Sequence, residues 1–215
     1  MTGQARKWLI CSPVYAAVRP LFLGLRQYQD LRRWNKDGQQ APPPHLVKSE
    51  TVLQYGRRYG LRCLVETGTY LGDMVAVAHR QFNAVYSIEL DEELFRAAVR
   101  RFRSCKNVFL KNGDSAAVLQ RLVGSIDTPC LFWLDAHYSG GVTARGLTDT
   151  PILSELRAVL SRDVEGDVLL IDDARLFGGD PNYPRLDELE YTCRHYRPHH
   201  AFEISHDIIR VTPRY

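Results

Sequence analysis

The sequence predicts an α/β fold: a doubly wound, mostly parallel, seven-stranded sheet with a C-terminal antiparallel hairpin, preceded by an N-terminal helical segment. Three observations carry this. From residue 45 onward short apolar runs alternate with amphipathic stretches of helical period, as crossover connections in a parallel sheet require. Near the C-terminus that alternation stops, and two runs follow each other about a polar turn. The 215 residues are 45% apolar and 25% charged, ordinary for a globular chain able to bury a sizeable core and unlike a disordered or collagen-like one.

The elements follow in order. Val14, Val18, Leu21, Phe22, Leu25, Tyr28 and Leu31 recur at helical spacing, with Arg19, Arg26, Arg32, Arg33 and Lys36 as a basic complement. Two readings of this segment stand: a helix packed on the main domain or on a second subunit, or a lid or basic amphipathic surface meeting an acidic membrane. Pro42, Pro43 and Pro44 form a stiff spacer, so the expected division is 1–44 as extension and linker and 45–215 as the main domain. A helical pattern over 45–59 ends near Gly60, and 61–65 reads as a buried strand. Helix signals follow Gly72, and 84–90 is a strand. Asp91 caps a helix with Glu92 and Glu93 in its first turn, where the helix dipole favours anions. Strands at 108–111, 130–134 and 168–171 alternate with helices at 116–123 and 151–160. A helix at 184–196 precedes strands at 201–205 and 208–212, turning at His206 and Asp207.

The formal net charge is +3, too small to imply a nucleic-acid partner. The five cysteines include no C-x-x-C pair, which argues against a disulfide framework and a zinc ribbon. A reducing, cytoplasmic setting fits them. No cleavable signal or spanning segment is read; Pro13 and Pro20 interrupt the run after Ile10.

Ligands of open α/β sheets bind at the carboxyl ends of the strands. After the first strand stands Glu66-Thr67-Gly68-Thr69-Tyr70-Leu71-Gly72-Asp73. Gly68 permits a sharp turn and close ligand approach, and Gly72 permits close passage at the next helix. The order is E-x-G-x-x-x-G; the dinucleotide fingerprint places a glycine where Glu66 stands earlier in the turn. A carboxylate there repels a pyrophosphate and suits a cationic or hydroxyl-bearing ligand. Glu89 closes the second strand, 23 residues after Glu66, where an acidic acceptor grips ribose hydroxyls. Asp114 follows the third strand, either to accept from an adenine amino group or to cap the next helix.

V-E-T-G-T-Y-L-G, S-I-E-L and N-G-D-S, in that order on successive strand ends, resemble the class I S-adenosylmethionine-dependent methyltransferases over roughly 45–215. The resemblance implies a Rossmann-like methyltransferase fold with S-adenosylmethionine as cofactor. It implies Glu66, Gly68 and Thr69 beside the methionine part, Glu89 on the ribose, and Asp114 with Ser115 about the adenine, with Gly72 and Asp135 also among the cofactor-binding residues.

The fourth and fifth strands end in Asp135-Ala136-His137 and Asp172-Asp173. Neighbouring ends would gather Asp135, Asp172 and Asp173, and three carboxylates in one cleft need a compensating charge. A hard divalent ion such as Mg2+ supplies it and lowers the pKa of a coordinated hydroxyl. The arrangement is similar to metal-dependent O-methyltransferases of the catechol and macrolide-sugar types, with His137 where the sugar type carries its second aspartate. The resemblance makes Asp135 and His137 the catalytic candidates; a neutral imidazole accepts a proton near pH 7. Plainer roles stand beside these: Asp135 capping a turn, Asp173 pairing with Arg175, His137 as a structural hydrogen-bonding group. Gly140 and Gly141 open a long connection carrying Arg145 and Asp149, and Tyr183 lies on a second candidate rim. The expected activity is methyl transfer to a hydroxyl of a small molecule or sugar, with no nucleic acid and with homodimer or peripheral membrane contact through residues 1–40. The alternatives are an adaptor that keeps the fold without catalysis and a nicotinamide-dependent oxidoreductase.

Overall fold

The computed structural model describes residues 10–135, 151–180 and 183–214. Its elements are α1 (Pro13–Lys36), α2 (His45–Arg58), β1 (Cys63–Thr67), α3 (Asp73–Ala78), β2 (Ala84–Glu89), α4 (Glu92–Phe102), β3 (Val108–Asn112), α5 (Ser115–Val123), β4 (Cys130–Leu134), α6 (Ile152–Leu160), β5 (Val168–Ile171), α7 (Leu186–Tyr196), β6 (His200–Ser205) and β7 (Ile208–Pro213). The seven strands form one sheet in the order β3-β2-β1-β4-β5-β7-β6. The first five are parallel; β7 runs antiparallel to β5 and β6 to β7. The order reverses between β1 and β4, the switch point at which such sheets bind ligands.

Both faces of the sheet are covered. Val65, Phe132, Leu134, Leu169 and Ile171 point to the side of α5, α6 and α7. Leu64, Leu131, Trp133, Val168 and Leu170 point to the side of α2, α3 and α4. These strand residues are almost wholly buried, and each such side chain contributes roughly 1.5–3 kcal/mol of hydrophobic stabilisation. Asp91 and Asp114 cap α4 and α5, accepting from backbone N–H groups in the first turns.

One local difference from the sequence expectation has a clear cause. β1 begins at Cys63 because residues 60 and 61 close α2. Gly60, at φ +64°, lets its own N–H reach Arg57 O at 3.2 Å and Leu61 N–H reach Gly56 O at 2.9 Å, a Schellman closure. The helix α1 runs through Pro20, as the helical spacing from Val14 to Leu31 predicts. Of its apolar stripe, Val14, Val18, Phe22, Leu25 and Tyr28 are exposed and Leu31 is half-buried.

Polar contacts dock α1. Arg19 forms a two-pronged ion pair with Asp73 at the start of α3, and Arg101 of α4 holds the same carboxylate at 3.1 Å. At the other end the buried Trp34 donates to Gln40 O at 2.7 Å and meets the His206 ring edge-on at 5.5 Å. Among the described residues no helix is long and apolar enough to cross a membrane. None of the five cysteines is in a disulfide, and Cys63 and Cys130 lie side by side in the core strands.

Candidate active site

The site lies along the carboxyl ends of β1, β2, β3, β4 and β5. Gly68 (φ +87°) and Tyr70 (φ +48°) curl the chain after β1, and the N–H groups of Gly68 and Thr69 both donate to Ile88 O, at 2.9 and 3.2 Å. The loop is thus fastened to β2. Gly72 must be glycine: it sits at φ +73°, and a Cβ there would meet Phe102 Cε2 at 2.6 Å.

Glu66, at the same strand end, is buried and turned into the sheet, where it accepts from Ser87 Oγ at 2.5 Å; Thr69 Oγ1 is 2.6 Å from that hydroxyl. Burial drives the Glu66 carboxyl well above its ordinary pKa, against the Ser87 hydrogen bond, and the charges of Asp135, Glu89 and Asp73 act in the same sense. Glu89 accepts from the N–H of Tyr70 at 2.7 Å and of Asp91 at 2.9 Å, one on each oxygen. It therefore ties the loop after β1 to the turn after β2. Burial raises its pKa, against those backbone donors. Asn112 braces the same turn by donating to Glu89 O at 2.8 Å.

Asp114 accepts from Ala117 N–H at 3.2 Å, so its capping role is real, and Ser115 beside it is buried. Below them stands Glu155 of α6, which the sequence did not single out. Its Oε2 accepts from Thr67 Oγ1 at 3.4 Å, and Oε1 is buried with no hydrogen-bond partner among the described residues. Burial pushes Glu155 up to about 8, against the hydroxyls of Ser115 and Thr67. The Thr67 hydroxyl also accepts from Asp135 N–H at 3.2 Å, which seats the end of β4.

Asp135, Asp172 and Asp173 come together as their strand positions predict, each offering an oxygen within 4.8 Å of the others. Asp173, at φ +58°, turns back so that its N–H donates to Asp172 Oδ1 at 2.9 Å. Arg175 pairs with Asp173 at 2.8 Å and with Asp207 of the hairpin turn. Burial, then the charge of Asp135, push Asp172 up to about 7, against the ammonium of Lys48.

Lys48 is a second residue that sequence reasoning missed. It donates to Asp172 Oδ2 and lies 3.6 Å from Asp173 Oδ1. Burial works against its charge, but Asp172, Asp135 and Asp173 outweigh it, and its pKa is raised. Lys48 shares the inward face of α2 with Val52 and Tyr55, one and two turns on. His45, one turn earlier, has a buried Nε2 with no partner among the described residues, and burial holds its imidazole below the ordinary value. A charged residue in phase with an apolar stripe was the available signal.

His137, Arg145 and Asp149 lie outside the described residues. Tyr183 packs edge-on against Phe177 at 5.2 Å. Among the described residues the three aspartates are the only group placed so that it could hold a metal ion, and histidines 195, 199, 200 and 206 are not so placed. Three carboxylates offering only oxygen suit a hard divalent ion, with Lys48 already against two of them.

Solved structures share this architecture. The O-methyltransferase from Bacillus cereus in complex with SAH matches with a TM-score of 0.58 at 15% identity, over 86% of this chain and 90% of that one. The O-methyltransferase TomG from Streptomyces achromogenes, in complex with SAM and involved in tomaymycin synthesis, gives 0.55 at 14%, over 87% and 89%. SAH-bound methyltransferase PaMTH1 of Podospora anserina gives 0.56 at 14%, over 78% of each chain. No family model matches the chain, and no curated protein matches it in sequence. At such identities the fold is what is shared, and this chain has the seven-stranded Rossmann-like fold of the class I S-adenosylmethionine-dependent methyltransferases.

Proposed function

We propose that the protein transfers the methyl group of S-adenosylmethionine to a hydroxyl of a small molecule or sugar. The observation that supports this best is the convergence, on one sheet edge, of the loop from Gly68 to Gly72, Glu89 and Asp114 with the aspartates after β4 and β5. In this reading the loop curves about the methionine part. Glu89 takes the ribose hydroxyls, and Asp114 and Ser115 flank the adenine. The carboxylates of Glu89 and Asp135 both act on the buried Glu66, and an acidic surround of this kind favours a sulfonium cation over a neutral ligand.

The acceptor oxygen bonds to the methyl carbon as the carbon–sulfur bond breaks; the bonding pair stays on sulfur and the hydroxyl proton passes to a base. The protein's contribution is alignment of oxygen, carbon and sulfur, which in ideal intramolecular cases lowers barriers by roughly 7–11 kcal/mol. A divalent ion such as Mg2+ held by Asp135, Asp172 and Asp173 would orient the acceptor hydroxyl and lower its pKa. On sequence alone we assign the base to His137, two positions beyond Asp135.

Calorimetric titration of the full chain with S-adenosylmethionine, S-adenosylhomocysteine and NAD tests the reading. The first two should bind and NAD should not. Glu89→Ala should weaken S-adenosylhomocysteine at least about 10-fold, since a hydrogen bond to a charged group contributes roughly 1.5–3 kcal/mol. Binding of NAD alone, or no heat and no rise in melting temperature with either methionine nucleoside, refutes it.

A further inference from the structure

We infer that Lys48 is a tethered counter-cation occupying the place of the divalent ion, so that the ion binds only by displacing it. The inference rests on the proposed metal role of the three aspartates and adds a residue that regulates that site.

The geometry leaves room for one cation. The three acidic oxygens lie within 4.8 Å of one another. An ion at about 2.0–2.6 Å from each oxygen would fill the space between them. The Lys48 ammonium is hydrogen-bonded to Asp172 Oδ2 and stands 3.6 Å from Asp173 Oδ1, and so takes the positions from which the ion would reach both.

The charge balance makes the exchange feasible. Asp135, Asp172 and Asp173 bring three carboxylates, against Lys48 and an Arg175 that divides its charge between Asp173 and Asp207. The lysine neutralises part of the cluster, and a doubly charged ion neutralises more. Removing Lys48 alone leaves buried carboxylates uncompensated, the costly half of a broken buried pair. The amine comes from α2, 124 positions away in sequence from Asp172, and its four-carbon stem has the freedom to withdraw. The fold is therefore charge-compensated before any metal arrives, and affinity for the ion is set below what the aspartates alone would give.

The test is a Mn2+ titration, by calorimetry and by the electron paramagnetic resonance of free Mn2+, on the full chain, Lys48→Met and Asp172→Asn. A parallel measurement on the unmutated chain is reductive methylation of Lys48, read by peptide mass spectrometry with and without Mn2+ at matched ionic strength. Lys48→Met should bind Mn2+ at least about 10-fold more tightly than the unmutated chain, the equivalent of about 1.4 kcal/mol. Asp172→Asn should bind poorly, and Mn2+ should speed methylation of Lys48. Equal Mn2+ affinities with Lys48 methylation unchanged overturn the displacement and leave the metal reading intact. No Mn2+ binding by any form overturns both. If Lys48→Met does not fold, the methylation rates decide: faster with Mn2+ supports displacement, and unchanged overturns it.

Discussion

Replacing Glu155 by glutamine should make the protein more stable at neutral pH and leave it nearly unchanged in mild acid. The folded protein holds the Glu155 proton up to about 8, whereas the ordinary value is 4.5. Between those limits the unfolded chain binds fewer protons than the native one, so this group lowers stability as pH rises through the window and has no further effect above it. Each unit of difference is about 1.4 kcal/mol. The full penalty approaches about 5 kcal/mol, and the part developed between pH 5 and pH 7.5 is about 3 kcal/mol by the same relation. Glutamine carries no titrating proton, and its amide still meets the Thr67 and Ser115 hydroxyls that the carboxyl meets. Any cost of burying the amide nitrogen is constant in pH, so the difference between variant and parent is the clean quantity. Urea unfolding, followed by the fluorescence of the buried Trp34 and Trp133, should be run at pH 5, 6, 7 and 7.5 at one ionic strength. The stability gain of Glu155→Gln should grow by about 3 kcal/mol over this range. Parallel curves, with a gain independent of pH, would refute the argument that burial rather than hydrogen bonding governs this carboxyl.

Two further outcomes follow from the site. Gly72→Ala places a methyl group 2.6 Å from the Phe102 ring at φ +73°, whereas Gly38, at φ +74°, has nothing within 4 Å. Both variants meet the left-handed penalty of about 1–2 kcal/mol, but Gly72→Ala should lose about 1–3 kcal/mol more from overpacking and should weaken S-adenosylhomocysteine; equal melting temperatures would show that Phe102 yields freely. His137→Ala should lower the methylation rate and remove an ionisation from its pH profile, and an unchanged profile excludes His137 as the base.

Much of the fold was legible because its signals are local. Asp91 and Asp114 precede helices and cap them, and each core strand is a short apolar run. The strand ends then place Asp135, Asp172 and Asp173 together by topology alone, since β4 and β5 are neighbours. The direction of Glu66 was not legible. β1 is buried throughout, so alternation along the strand does not say which face a polar residue takes, and Glu66 turned to Ser87. Lys48 and Glu155 escaped for another reason. Each looks like an ordinary charge on a helix, and only the packing of α2 and α6 against the sheet brings Lys48 to Asp172 and Glu155 to Thr67.

The double grip on Asp73 has a mechanical consequence. Arg19 and Arg101 clasp the residue that immediately follows Gly72, so the leading helix and the turn after β1 share one fastening. A molecule that settles the turn also secures the leading helix. If a ligand of the proposed site does steady the turn, linkage makes the effect mutual: a contact with the exposed Phe22 and Leu25 that steadied the helix would strengthen ligand binding by the same factor.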